Sequence, residues 1–265
     1  MAKGFHLDFV NIMSENAFNL TGKLALVTGG GIGIGFGISK CLVNAGAKVV
    51  ITGRREKILK NAIKELGEHS SYEIQDINEL DAACDFVRSI ESRYGSIDVL
   101  VNNAGINDVK PPFEVTDSDF QAIMNTNLAG VFSLTREVAK FMVKRKRGSI
   151  IMITSMAAIY GLKDVAPYSA SKSGLLGLTR SLATDLSPSG VRINAIAPGF
   201  IVTPMHEEAL RRYPEKEKKI LDRTPLNRFG TTEDIGHAVV FLASDASGFI
   251  TGVQLPVDGG NAIGF

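Results

Sequence analysis

Tyr168 and Lys172 stand four residues apart in the run Tyr168-Ser169-Ala170-Ser171-Lys172, and Ser155 lies 13 residues ahead of the tyrosine. On a helix that spacing puts both side chains on one face, pointing the same way. An ammonium beside a phenol favours the phenolate and draws the tyrosine down from its ordinary pKa of about 10. A tyrosine tuned in this way exchanges a proton with an alcohol or ketone near neutral pH. A hydroxyl from Ser155 could then hold the substrate oxygen. The same residues also describe a half-buried tyrosine beside a solvated lysine, so the chemistry needs support from the rest of the chain.

Support comes from the other end. Residues 22–27 form a short apolar run bounded by glycine, which reads as a buried strand. It leads into Thr28-Gly29-Gly30-Gly31-Ile32-Gly33-Ile34-Gly35, after which Ile34, Ile38, Leu42 and Val43 recur at helical spacing. Strand, glycine turn and helix make the phosphate-binding corner of a dinucleotide site. The glycines let the backbone approach a pyrophosphate, and the helix N-terminus offers unpaired N–H groups and a positive dipole end.

These motifs identify the chain, by resemblance, as a member of the short-chain dehydrogenase/reductase family, over nearly all of residues 20–265. Asn102-Asn103-Ala104-Gly105 follows the apolar run 97–101, as in that family, and Asn125-Thr126-Asn127-Leu128 matches its catalytic asparagine motif. Pro198-Gly199 and then Thr203 match its loop over the nicotinamide side of the cofactor. Phe241-Leu242-Ala243-Ser244-Asp245 and Val257-Asp258-Gly259-Gly260 match its C-terminal motifs. The resemblance implies a catalytic tetrad of Asn127, Ser155, Tyr168 and Lys172. Tyr168 would be the general acid/base, Lys172 would lower its pKa and hold the nicotinamide ribose, and Ser155 would donate to the substrate oxygen. Asn127 would hold a water linking Lys172 to solvent. Cofactor contacts are implied for Gly29, Gly31, Ile32, Gly33, Ile34 and Gly35 in the first loop. Further contacts would come from Arg54, Asp76 and Ile77, then Asn102, Ala104 and Gly105. Tyr168 and Lys172 serve the cofactor as well as the substrate, and Pro198, Gly199, Ile201 and Thr203 complete the set. Asn102 also fits a structural role tying neighbouring loops together.

Cofactor preference is read at the end of the second strand. An acidic residue there binds a ribose 2′-hydroxyl, whereas an arginine accommodates a 2′-phosphate. The chain reads Thr52-Gly53-Arg54-Arg55, with glycine in the acid's place. NADP(H) is therefore favoured over NAD(H), although Ile32 stands where a second basic residue is common in the family. The two arginines also fit plain surface charges at a helix start. Asp76 matches the family's adenine-contacting aspartate and could equally cap the next helix.

Strand-like runs at 48–52, 72–75, 97–101, 149–154 and 191–195 alternate with amphipathic stretches at 56–66, 79–94, 117–143 and 168–186. Such alternation predicts an α/β fold, a Rossmann-like doubly wound parallel sheet with helices on both faces. Residues 1–20 read as an N-terminal extension and 21–265 as one domain. Each motif follows a strand, and ligands of such sheets gather outside the carboxyl ends of the strands.

The 265 residues suit one such domain, and a formal charge of +1 offers no field for nucleic acid or an anionic membrane. Lys144-Arg145-Lys146-Arg147 fits a solvated helix end. Cys41 and Cys84 lack metal-ligand spacing and read as reduced, and the first 20 residues lack the apolar core of a signal peptide. A cytoplasmic protein is expected. His6, His69, His206 and His237 are scattered, so no metal is implied.

Substrate identity is carried by general appearance, which is similar to gluconate 5-dehydrogenases and related sugar or polyol oxidoreductases. The rival is the 3-oxoacyl-[acyl-carrier-protein] reductases, which share nearly all these motifs. Residues 203–228 would form a substrate lid, containing Met205, His206, Arg211, Arg212 and Tyr213 among acids and lysines. Lys163, Asn107 and Lys110 are further groups that could meet an acidic substrate. A regulator that binds NADP(H) without turnover would not need all four catalytic side chains, and a nucleotide-sugar epimerase would need more chain after Thr203. The resemblance also implies a homotetramer with residues 252–265 at a subunit interface.

Overall fold

The computed structural model describes residues 17–203 and 215–264. Seven strands form one parallel sheet: β1 (Leu24–Thr28), β2 (Lys48–Gly53), β3 (Ser70–Ile74), β4 (Ile97–Asn102), β5 (Gly148–Ile153), β6 (Val191–Pro198) and β7 (Gln254–Val257), in the order β3-β2-β1-β4-β5-β6-β7. The chain runs outward from β1 to β3, returns to pair β4 with β1, and then proceeds the other way. That reversal opens a crevice between the carboxyl ends of β1 and β4.

Period-two alternation sorts the core into two layers. Ala25 and Val27 of β1, Val99 and Val101 of β4 and Ile151 and Ile153 of β5 face one way. There they meet Ile38 and Leu42 of α1 (Gly33–Asn44), Leu59 of α2 (Glu56–Leu66) and Ile235 and Val239 of the last helix (Thr232–Ala243). Leu24, Leu26, Leu100, Ile150 and Met152 face the other way. Their partners are Val87 and Ile90 of α3 (Ala83–Tyr94), Val138 and Met142 of α5 (Gly130–Arg145) and Leu175 of α6 (Ala166–Leu186). Each such valine, leucine, isoleucine or methionine, fully buried, contributes roughly 1.5–3 kcal/mol. The remaining helices are α4 (Asp117–Met124) and α7 (Glu215–Arg223), and the last helix is α8. Leu20, just before β1, is fully buried, and its N–H donates to the Ala45 carbonyl at 2.8 Å.

The stretch 117–143, which the sequence presents as one amphipathic run, is broken. Residues Asn125–Ala129 form a π-helical turn between α4 and α5. Gly130 lies so close to the Ile77 carbonyl that a Cβ there would be 2.5 Å from its oxygen. A π turn carries an extra residue per turn and frequently marks a functional site; here it carries Asn127. The apolar and amphipathic runs read from the sequence do not include β7, α7 and α8. Among the described residues no helix is long and apolar enough to cross a membrane.

Candidate active site

Tyr168 and Lys172 occupy the first two turns of α6, which Pro167 opens at a position where its missing N–H costs nothing. Lys172 is buried with Ser171, Leu175, Thr179 and Ala183, the face turned to the sheet. Its Nζ donates to the Ile153 carbonyl at 2.8 Å and sits over the Tyr168 ring, 5.6 Å from the centroid. Ser155 follows β5, with extended backbone and its Oγ accepting the Ala157 N–H at 3.1 Å. Its hydroxyl is the polar neighbour that favours ionisation of the Tyr168 phenol.

Asn127 is fully buried in the π turn. Its Nδ2 donates to the Ile106 carbonyl at 2.8 Å and to Ser171 Oγ at 3.1 Å, while its Oδ1 accepts the Ile106 N–H at 2.8 Å. Ser171 Oγ in turn donates to the Tyr168 carbonyl at 2.7 Å. Gly105 lies between Asn127 and Lys172: a Cβ there would be 3.1 Å from Asn127 Oδ1 and 3.4 Å from Lys172 Nζ. Asn127, Ser155, Tyr168 and Lys172 thus come together from three segments at the carboxyl edge of the sheet.

The electrostatics differ from what the Tyr–Lys spacing predicts. Burial pushes the Tyr168 phenol up from its ordinary value, and the Ser155 hydroxyl opposes that rise. Burial also pushes the Lys172 ammonium down to about 8. Burial favours the neutral form of each group, which holds the tyrosine in its protonated, proton-donating form.

The glycine loop sits beside this cluster. Gly33 begins α1 with φ of 56° and no side chain caps the helix, so its first N–H groups lack a side-chain acceptor. Gly35 is pressed against the loop's own start, where a Cβ would lie 2.2 Å from the Gly29 oxygen. This uncapped N-terminus, without an acidic residue in its first turn, fits a phosphate group. Gly29 lies under Asn103 and Ala104, Gly31 under Ile58 and Leu59, and Ile32 is half exposed at the N-cap. Ile34, in the first turn of α1, is only partly buried and packs against the core.

Other predicted cofactor residues distribute unevenly. Arg54 ends β2's extension and lies 3.7 Å from the Asp76 carboxylate, with most of its side chain exposed. Asp76 accepts the N–H and Nδ2 of Asn78, both at 3.0 Å, so it caps a turn as well as pairing with Arg54. Ile77 turns its carbonyl to the π turn. Pro198 ends β6, Gly199 donates its N–H to the Val257 carbonyl, and Thr203 crosses to the glycine loop near Gly33. Two side chains lie elsewhere. Asn102 is buried in the interior, its Nδ2 donating to Thr135 Oγ1 at 2.9 Å and approaching Met152 Sδ. Ile201 is buried in the core, bridged to Gly230. Only their backbone can face a cofactor, because each side chain alternates inward.

Two residues that the motif reading did not single out hold the crevice together. Thr28 Oγ1 accepts the N–H groups of Asn103 and Ala104, each at 3.0 Å, and Asn103 Nδ2 donates to the carbonyls of Thr28 and Gly29. They lock the ends of β1 and β4 to each other. The available signal was a polar residue directly after each apolar strand.

Among the suggested substrate cations, Lys110 is held by Asp108 and Asp119 at 2.8 and 3.0 Å and is not free to meet an acid. Lys163 is almost fully exposed beside Asp164, and Asn107 is exposed. Met205, His206, Arg211, Arg212 and Tyr213 lie outside the described residues.

Comparison with known proteins agrees with this architecture. A family profile described as Enoyl-(Acyl carrier protein) reductase matches residues 30–262. The 3-oxoacyl-[acyl-carrier-protein] reductase FabG of Thermotoga maritima is 38% identical over 249 residues, covering 92% of this chain and 99% of that protein. Gluconate 5-dehydrogenase of Gluconobacter oxydans is 39% identical over 246 residues, covering 92% and 96%. A crystal structure of a gluconate 5-dehydrogenase from Burkholderia cenocepacia, in complex with NADP and tartrate, superposes with a TM-score of 0.89 at 35% identity, covering 94% and 98%. With a matching profile, a matching sheet and the Ser155, Tyr168 and Lys172 geometry in one place, the chain belongs to the short-chain dehydrogenase/reductase family of oxidoreductases acting on CH–OH and keto groups.

Proposed function

We propose that the chain interconverts a secondary alcohol and a ketone using NADP(H), and that its substrate is a sugar acid or polyol. The observation that carries the chemistry is the buried Lys172 ammonium, tied to the Ile153 carbonyl and set over the Tyr168 ring, with Ser155 beside the phenol. A bound nicotinamide supplies or accepts the hydride at the substrate carbon. In reduction, Tyr168 gives its phenolic proton to the carbonyl oxygen while Ser155 donates a hydrogen bond to it, stabilising charge as it develops. In oxidation the phenolate takes the alcohol proton. Lys172 and Asn127 return the proton to solvent through a water at their shared edge beside Gly105. The raised proton affinity of Tyr168 suits the reducing direction.

Arg54 supports the preference for NADP(H): it stands at the end of β2 where Gly53 offers no carboxylate to a 2′-hydroxyl. The similarity to gluconate 5-dehydrogenases supports the sugar-acid reading. Reduction of 3-oxoacyl thioesters is the second reading, favoured by exposed Ile106, Val109, Ile159 and Val202 around the same edge, an apolar lining that suits an acyl chain. Two free cysteines suit a reducing cytoplasm. The exposed Phe249 and Ile263 near the C-terminus suit assembly into a homotetramer.

A paired absorbance screen tests the substrate. NADPH and NADH are offered with 5-ketogluconate, other keto-sugars and acetoacetyl thioesters, and the oxidised cofactors with the matching alcohols. NADPH-preferring turnover of a keto-sugar is the expected result. Turnover confined to acetoacetyl thioesters overturns the sugar-acid reading and leaves the fatty-acid one.

A further inference from the structure

Beyond β7 the chain enters a buried polar cluster that neither the glycine loop nor the proton chemistry uses. Its centre is Asn261, 1% exposed. The Tyr160 hydroxyl donates to Asn261 Oδ1. Asn261 Nδ2 donates to Thr224 Oγ1 at 3.0 Å, and Thr224 Oγ1 donates to the Ile220 carbonyl at 2.7 Å. Arg223 Nε donates to the Asn261 carbonyl at 3.1 Å, and its guanidinium stacks on the Tyr160 ring, 4.3 Å from the centroid.

The directions of these bonds are fixed. The Thr224 proton is committed to Ile220, so its oxygen accepts from Asn261, and the remaining amide oxygen of Asn261 accepts from Tyr160. An amide meets both demands; an aliphatic or carboxylate side chain meets at most one. The support around it is equally tight. The Asp258 carboxylate accepts the N–H groups of Gly260 and Ala262, and Gly199 abuts Asp258 so closely that a Cβ there would be 2.6 Å from its Cα.

Three segments meet here, and all leave the carboxyl edge of the sheet. Tyr160 belongs to the loop between Ser155 and Tyr168, Asn261 follows β7, and Arg223 ends α7 with Thr224 directly after it. We propose that Tyr160, Asn261 and Arg223 are positioning residues that anchor the end of α7 beside the Ser155–Tyr168 loop and thereby set the substrate wall of the site. The inference rests on the oxidoreductase reading above and adds to it residues that shape binding of the ketone without touching the cofactor.

The experiment compares the full-length enzyme with Tyr160→Phe, which removes one hydroxyl and keeps the ring under Arg223. The expected result is a rise of about three- to tenfold in KM for the ketone, with kcat and the NADPH Kd within about twofold. Amide hydrogen exchange across 217–224 should quicken in the same variant. Asn261→Leu, which also removes the bond to Thr224, should give the same pattern at least as strongly, and adding Tyr160→Phe to it should add nothing further, since the bond they share is already gone. Faster exchange with an unchanged KM overturns the substrate role. So does a parallel loss of KM, kcat and NADPH affinity, which is general loosening, and so does no change in any readout. If the unaltered enzyme turns over no ketone, the oxidoreductase reading itself fails, and the exchange data then report an anchor without a substrate role.

Discussion

The two halves of the carboxyl edge are built from different materials. On the β1–β4 side the site is backbone: glycines pressed together, an uncapped helix N-terminus, and two polar side chains, Thr28 and Asn103, that bond only to main chain. On the β5–β7 side it is side chain: a buried lysine over the tyrosine ring, a serine beside the phenol, and an asparagine bonded to a tyrosine 101 positions away. Backbone reads a shape common to all dinucleotides and leaves no room for variation. Side-chain networks can be rewritten one residue at a time, which is what a family needs if one cofactor is to serve many substrates.

Substitutions on the two sides should therefore fail differently. Tyr168→Phe removes the proton donor and nothing else, so kcat should fall roughly a hundred- to ten-thousandfold while NADPH affinity, measured by fluorescence titration, stays within a few-fold. Near-normal kcat would take the acid/base role away from Tyr168. On the backbone side, Gly35→Ala sets a Cβ against the Gly29 oxygen, and the loop must shift. Overpacking of this kind costs about 1–3 kcal/mol, so cofactor affinity should drop by roughly five- to 150-fold, with kcat at saturating cofactor much less affected. A loop that tolerated alanine would break the contrast between the two halves.

Arg54→Ala should raise KM for NADP(H) by about five- to tenfold and leave KM for NAD(H) nearly unchanged, a modest effect because the guanidinium is largely exposed. Equal changes for both cofactors would show that Arg54 does not read the 2′-phosphate. The smallest effect is on pH. Tyr168 holds its proton above its ordinary range and Lys172 loses its own at about 8. Reduction should thus run level up to about pH 8 and decline above it, while oxidation, which needs the phenolate, climbs with pH. Rate–pH profiles in both directions check this, and a reduction rate that rises with pH would contradict it.

The same division explains what the sequence made legible. Strands β1, β2, β4, β5 and β6 announce themselves by apolar runs, and the glycine loop by its composition between strand and helix. The tyrosine and lysine of α6 are visible through helical spacing. The π turn around Asn127 is not, because its extra residue has no composition of its own and depends on the close approach of Gly130 to Ile77. Nor could spacing foresee that burial would push Tyr168 up and Lys172 down, since desolvation is set by the packing of β5 and α6 around them. Lys110 looked available until Asp108 and Asp119 were brought to it. The Tyr160–Asn261 bond joins the Ser155 loop to the tail after β7 and leaves no local trace at all.

The most direct test follows the hydrogen atoms. The enzyme is given the ketone it turns over together with NADPH carrying deuterium at both C4 positions, and the alcohol is analysed by mass and NMR. Hydride transfer with Tyr168 as the proton source predicts one deuterium on the carbinol carbon, an exchangeable proton on its oxygen, and no labelled product from Tyr168→Phe on the same timescale. An unlabelled carbinol carbon, or labelled product formed at the normal rate without the phenol, would contradict it.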